Sequence, residues 1–250
     1  MQPVFSRTER LLGSEAMERL HSCRVAVFGI GGVGGYVVEA LARTGVGALD
    51  LIDHDTVCPS NLNRQIIATR STIGMDKVDA AASRIRDINP DCRIKTWKIF
   101  YLPETADQFD FRLYDYVVDA IDTVAGKIAL IEASKAADTP IISAMGAGNK
   151  MDPTAFRIAD IYETSVCPLA RVMRSACRKR GITDLKVVYS TEAPLKPLPM
   201  EAEFRIDTES PEASGSARRD PPGSIAFVTA AAGLILAGAV VRDLIAPIRS

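Results

Sequence analysis

Six residues constrain this chain more than any others: Gly29-Ile-Gly-Gly-Val-Gly34, set directly after the apolar run Arg24-Val-Ala-Val-Phe28 and ahead of a helical pattern over 33–44. The run reads as a strand. Glycines let the backbone turn tightly and approach a phosphate, whose charge is favoured at a helix N-terminus. A second apolar strand, 48–52, ends at Asp53, 22 residues after Gly31. An acid at that spacing accepts a hydrogen bond from a ribose hydroxyl. Strand, glycine loop, helix and acid together predict a nucleotide site. The bland alternative is a glycine turn that only packs helix on strand.

The alternation continues. Helical patterns over 73–88 and 124–137 separate strand-like runs at 93–99, 116–120 and 140–144. This predicts an α/β fold, a Rossmann-like, mostly parallel sheet with helices on both faces. After Asp152-Pro153 the pattern weakens. Strands are expected at 156–162 and 185–190, and a basic helix at 166–180. Residues 191–223 are rich in Pro, Ser, Glu and Arg and read as a long, flexible crossover loop. One domain over 1–250 is expected, with a nucleotide-binding half (1–150) and a substrate-side half (151–250).

The last segment has two readings. Residues 225–241 form a run of 17 whose only polar side chain is Thr229, at the lower limit for a membrane span. The reading adopted is a helix buried against the sheet, with Gly233 and Gly238 allowing close approach; no stable span is expected. The composition, 47% hydrophobic and 24% charged, is that of a globular chain. With 30 basic and 31 acidic residues, the chain does not coat nucleic acid by overall charge, although a local patch remains open. Cys23, Cys58, Cys92, Cys167 and Cys177 form no C-x-x-C pair. That argues against structural zinc and a disulfide framework, and predicts a reducing, cytoplasmic setting. The first residues are charged, with no apolar signal segment.

The residues after Asp53 choose between nucleotide chemistries. Arg64 and Lys77 place two cations near the phosphates, which suits attack at phosphorus. A dehydrogenase has less need of both. Asp119-Ala-Ile-Asp122-Thr123 follows a strand, where ligands bind in such sheets. Asp122 is therefore placed for Mg²⁺ or a nucleotide, or for capping the next helix. For Asn61, Asn63 and Gln65 the alternative role is loop capping. Arg171, Arg174 and Arg178 fall on one face of the basic helix. They read as a phosphate-contacting ridge for nucleic acid, or as a solvated face.

As a set, G-x-G-G-x-G, Asp53-His-Asp55, Ser60-Asn61-Leu-Asn63-Arg64-Gln65, Lys77 and Asp119-Ala-Ile-Asp122 resemble the signature of the ubiquitin-activating-enzyme-like, or ThiF-like, superfamily of adenylating enzymes. The resemblance implies that Gly29, Gly31, Gly32, Gly34, Asp53, Asp55, Asn61, Asn63, Gln65 and Thr123 hold ATP. It implies that Arg64 and Lys77 contact the phosphates and that Asp122 binds Mg²⁺. Arg7-Thr-Glu-Arg10 is similar to a segment whose second arginine reaches the partner subunit's nucleotide, which implies a homodimer. Leu41-Ala-Arg-Thr-Gly-Val-Gly47, Gly146-Ala-Gly148, Asp152-Pro-Thr154 and Tyr189-Ser-Thr-Glu-Ala193 resemble a branch of bacterial dehydratases that act on threonylcarbamoyladenosine in tRNA. That branch implies a tRNA substrate, an acyl-adenylate and no nucleophilic cysteine; sulfur-transfer proteins are candidate partners. The stretch after Lys196 matches it poorly. Three alternatives stay open: an activator of a ubiquitin-like sulfur carrier, disfavoured by the missing zinc cysteines; a nicotinamide-dependent dehydrogenase; and a non-catalytic partner protein.

Overall fold

The computed structural model describes residues 3–199 and 222–249. Two short helices, α1 (Ser6–Leu12) and α2 (Ser14–Ser22), lead into β1 (Arg24–Phe28). Then follow α3 (Gly34–Thr44), β2 (Ala48–Ile52), α4 (Lys77–Ile88), β3 (Arg93–Trp97), β4 (Tyr116–Asp119), α5 (Val124–Ala136) and β5 (Ile141–Ala144). The remainder is β6 (Phe156–Asp160), α6 (Pro168–Lys179), β7 (Lys186–Ser190) and α7 (Ala226–Arg249). The strand order is β3-β2-β1-β4-β5-β7-β6. All neighbours pair in parallel except β6 with β7. This is the expected α/β sheet.

Both faces of the sheet are covered, so its central strands are buried on both sides. One core joins Val25, Val27, Leu41, Leu49, Val78, Leu236 and Val240. The other joins Phe28, Val117, Leu130, Ile131, Met173 and an aromatic group of Tyr101, Phe109 and Phe111. Asp50, in the middle of β2, is buried in this apolar setting. Its carboxylate accepts hydrogen bonds from Arg24 Nε and Nη2, Trp97 Nε1 and Tyr114 Oη. A buried carboxylate needs such a full set of donors.

Several boundaries differ from the sequence reading. The helix expected over 73–88 starts only at Lys77, because Gly74 turns the chain at φ 85°. The helix expected from 166 starts at Pro168, because Val166 adopts φ 61°. The charged N-terminus, given no structure from the sequence, forms α1 and α2; α2 buries Ala16, Met17 and Leu20. The apolar segment is a helix long and apolar enough to cross a membrane, yet about half of it is buried in the fold. A Cβ at Gly233 would lie 2.4 Å from the Val33 carbonyl oxygen, so α7 approaches α3 closely there. Gly238 faces open space, contrary to expectation. Of the expected crossover loop, residues 200–221 lie outside the described residues.

Candidate nucleotide site at the switch point

The strand order reverses between β1 and β4, and in open parallel sheets this leaves a crevice beyond the strand C-termini. The glycine loop leaves β1 on one side and residues 119–123 leave β4 on the other. The two are in contact. A Cβ at Gly29 (φ 89°) would lie 2.7 Å from the Ala120 carbonyl oxygen, and one at Gly34 would lie 1.8 Å from the Gly29 carbonyl oxygen. Only glycine fits either place. The loop then opens into the N-terminus of α3.

Asp53 holds this loop. Its Oδ2 accepts the Ile30 N–H at 2.6 Å and its Oδ1 accepts the Asp55 N–H at 2.9 Å. Each oxygen retains a lone pair for a ligand hydroxyl. Lys77, buried as the first residue of α4, donates to Asp55 Oδ2 at 2.6 Å. His54 Nε2 lies 3.2 Å from Asp55 Oδ1. Asp53, His54 and Asp55 are close enough to share a cation, but their oxygens already serve backbone amides and Lys77.

Arg64 is different. Its Nη1 donates to the Ser60 carbonyl and to Asn63 Oδ1, both at 2.9 Å. Among the described residues no carboxylate pairs with it, and burial lowers its pKa from the ordinary arginine value. A half-buried guanidinium without a counter-charge is suited to an incoming anion. The Cβ position of Gly32 is 3.4 Å from both the Arg64 stem and the Thr229 side chain. Arg64 and the start of α7 therefore flank the glycine loop. Gln65 is buried with its Oε1 unpartnered. Asn61 Oδ1 accepts the Cys58 N–H, which is the capping role, while Asn63 Nδ2 donates to the Ser224 carbonyl.

Across the crevice, Asp122 is exposed and makes no hydrogen bond or ion pair among the described residues. Thr123, not Asp122, is the N-cap of α5, and its Oγ1 is buried without a partner. Both Asp122 oxygens are thus open to a ligand or cation. Behind it lies a pair that sequence reasoning did not assign: Lys127 and Asp119, each 0% exposed. Lys127 Nζ donates to both Asp119 oxygens at 3.0 Å, to Ser143 Oγ at 3.2 Å and to the Ala144 carbonyl at 2.8 Å. Ser143 Oγ donates to Asp119, and the Ile121 N–H reaches Asp119 Oδ1. The only sequence signal was Asp119 itself, inside Asp119-Ala-Ile-Asp122.

The loops after β5 and β7 are laced together. Buried Lys150 donates to the Glu192 carbonyl, and the Glu192 carboxylate accepts the Met151 and Asp152 N–H groups. Asn149 (φ 58°) exchanges hydrogen bonds with Gly223. Arg10 stands apart, exposed on α1, and among the described residues nothing ties it to the other site residues. On α6, Arg171 and Arg178 are exposed. Arg174 departs from the expected ridge, because its Nη1 turns inward to the Thr164 carbonyl and Oγ1. Burial pushes the Cys23 and Cys92 thiols up to about 11 and raises that of Cys177, so none of the three is a ready thiolate nucleophile.

A phosphate-ready glycine loop, an arginine with no carboxylate partner among the described residues and an open carboxylate at a switch point define a nucleotide-binding α/β protein of the adenylating kind. Residues 5–247 match the ThiF family model, and the chain belongs to that family. It is 46% identical over 243 residues to the tRNA threonylcarbamoyladenosine dehydratase of Bacillus subtilis, covering 96% of this chain and 94% of that protein. The Escherichia coli protein of the same name is 36% identical, with 97% and 93% covered. The crystal structure of the E. coli enzyme, TcdA, in complex with ATP superposes with a TM-score of 0.85 at 34% identity, covering 98% of this chain and 95% of that one.

Proposed function

We propose that this protein is an ATP-dependent tRNA threonylcarbamoyladenosine dehydratase that closes a ring in the modification through an acyl-adenylate. The observation that carries this reading is the Arg64 guanidinium beside the glycine loop, without a counter-charge among the described residues, together with an open Asp122 beyond the end of β4, in a chain similar along nearly its whole length to named dehydratases. The threonyl carboxylate is a poor electrophile because oxide is a bad leaving group. Its oxygen attacks the α-phosphorus of ATP, pyrophosphate leaves, and the acid becomes an acyl-adenylate. A carbamoyl nitrogen of the same modification then attacks the acyl carbon, loses its proton, and AMP departs with the carboxylate oxygen. The ring closure is intramolecular, so orientation supplies much of its rate, and no enzyme nucleophile is required.

The residues divide this work. The glycine loop and the α3 N-terminus receive the phosphates, and Asp53 adds a ribose contact to its hold on Ile30. Arg64 neutralises the charge that grows as pyrophosphate leaves. Lys77 assists through its exchange between Asp55 and phosphate. Asp122, with both oxygens open, fits a Mg²⁺ ion, which when bound would withdraw charge from the phosphates. Arg10, exposed on α1, acts from the second subunit of a homodimer. Arg171 and Arg178 contact the tRNA backbone. The setting is cytoplasmic.

The test is incubation with ATP and tRNA carrying the open modification. AMP and pyrophosphate should form in step with loss of one water from the modified nucleoside, read by mass. Formation of ADP, or AMP without a change in the nucleoside, overturns the reading.

A further inference from the structure

The turn before α6 carries backbone strain at an exposed side chain. Val166 adopts φ 61°, a left-handed conformation that a β-branched residue enters only at a cost. The Cys167 N–H closes back onto the Ser165 carbonyl at 2.5 Å, so the three residues form a tight γ-turn. Burial of the side chain is one way to offset such strain. Here the side chain is not buried: Val166 is 53% exposed, while Thr164 before it and Cys167 after it are buried.

The turn is held from both ends. Arg174 Nη1 donates to the carbonyl and hydroxyl of Thr164, and Thr164 Oγ1 donates to the Ile161 carbonyl. Pro168 fixes the next residue as the first of α6. The inward-turned Arg174 therefore serves to hold the turn in place. The turn also sits at the crevice end of the sheet. Gly146, just after β5, has its Cβ position 3.8 Å from Cys167 Sγ and Leu169 Cβ. β5 is the strand beside β4, which ends next to Asp122. From there α6 runs with Pro168, Arg171, Val172, Ser175, Arg178 and Lys179 exposed on one face. That face carries three cations and no acid.

The geometry points to Val166 as a substrate contact: a rigid apolar knob against which an unpaired nucleobase of the RNA, flanking the reacting adenosine, is seated. The cationic face of α6 takes the backbone of the same strand. This rests on the tRNA reading above. The occupant follows from charge complementarity, because phosphates suit Arg171, Arg178 and Lys179, and single-stranded RNA presents splayed bases to apolar surfaces. A strained, pre-set turn spares the ordering entropy that a flexible loop would lose on binding.

The inference makes stability and function move in opposite directions. Val166→Gly relieves the left-handed strain, so Tm should rise by a few degrees. The same change should raise KM for tRNA about five- to tenfold, within the range of single base contacts, with KM for ATP unchanged. Val166→Asn, which also tolerates this φ but is polar, should raise KM for tRNA similarly. The wild-type protein is assayed alongside, with AMP release from tRNA carrying the open modification as the signal. No wild-type turnover would count against the tRNA reading itself. Wild-type turnover with unaltered KM for tRNA in both variants overturns the role of Val166, whatever Tm does. A fall in Tm for Val166→Gly also overturns it, because Val166 would then be holding the fold.

Discussion

Arg64 and Lys127 lie on opposite sides of the crevice and are treated in opposite ways. Arg64 is half-buried, and among the described residues it bonds only to a carbonyl and an asparagine, with no carboxylate beside it. Lys127 is fully buried and completely satisfied by Asp119, Ser143 and the Ala144 carbonyl. The difference separates two uses of charge. A cation left without a counter-ion holds electrostatic energy in reserve for a ligand. A sealed pair holds none, and instead fixes where neighbouring groups stand; here it joins the ends of β4 and β5 and anchors the turn that presents Asp122. Lys77 lies between these extremes, buried but paired with an Asp55 that is partly open to solvent.

This contrast can be broken by substitution. Lys127→Met strands Asp119 as an unpaired buried carboxylate and should destabilise the protein by about 3–5 kcal/mol in denaturant unfolding. Changing both, Lys127→Met with Asp119→Asn, should recover much of that loss, because a neutral pair need not be compensated. If the single variant is as stable as the parent, the pair does not brace the turn. Arg64→Met should do the reverse. Turnover should fall by about 10²–10³-fold, while stability holds or rises, because an uncompensated half-buried charge has been removed. A large loss of stability would show that Arg64 belongs to the scaffold.

The smallest effect is expected at a third kind of ionic contact, the link between α3 and α4. Glu39 is nearly buried, which alone would raise its pKa; hydrogen bonds from Arg84 and then Arg43 outweigh this and leave it below the ordinary value. Its contribution is therefore present above the unfolded-state pKa and lost as pH falls through the folded one. Glu39→Gln should flatten the acid limb of stability against pH, below about pH 4.5, by about 1 kcal/mol. Urea midpoints measured across that range would show it, and an unchanged acid limb would remove Glu39 from the ionic framework.

The nucleotide half was legible because its signals are local. Glycines at 29 and 34 answer to backbone clashes within a few residues of sequence or one strand away, and the apolar runs have strand length. Asp53 was legible as a site acid, but its bonds to Ile30 and Asp55 depend on the loop's fold. The Lys127–Asp119 pair was missed because its other partners, Ser143 and Ala144, come from a strand over a dozen residues downstream. Arg174 was read with Arg171 and Arg178 because helical spacing places them on one side; spacing carries no information about Thr164, which turns Arg174 inward. α1 and α2 were missed because charge obscured the short apolar stripe of Ala16, Met17 and Leu20.

The path of a single oxygen atom tests the adenylate mechanism most directly. tRNA carrying the open modification, with its threonyl carboxylate enriched in heavy oxygen, is incubated with ATP and the protein, and the nucleotide products are weighed. Attack of the carboxylate on the α-phosphorus requires one labelled oxygen to leave in AMP, with none in pyrophosphate. Label in inorganic phosphate alongside ADP, or unlabelled AMP, would contradict it.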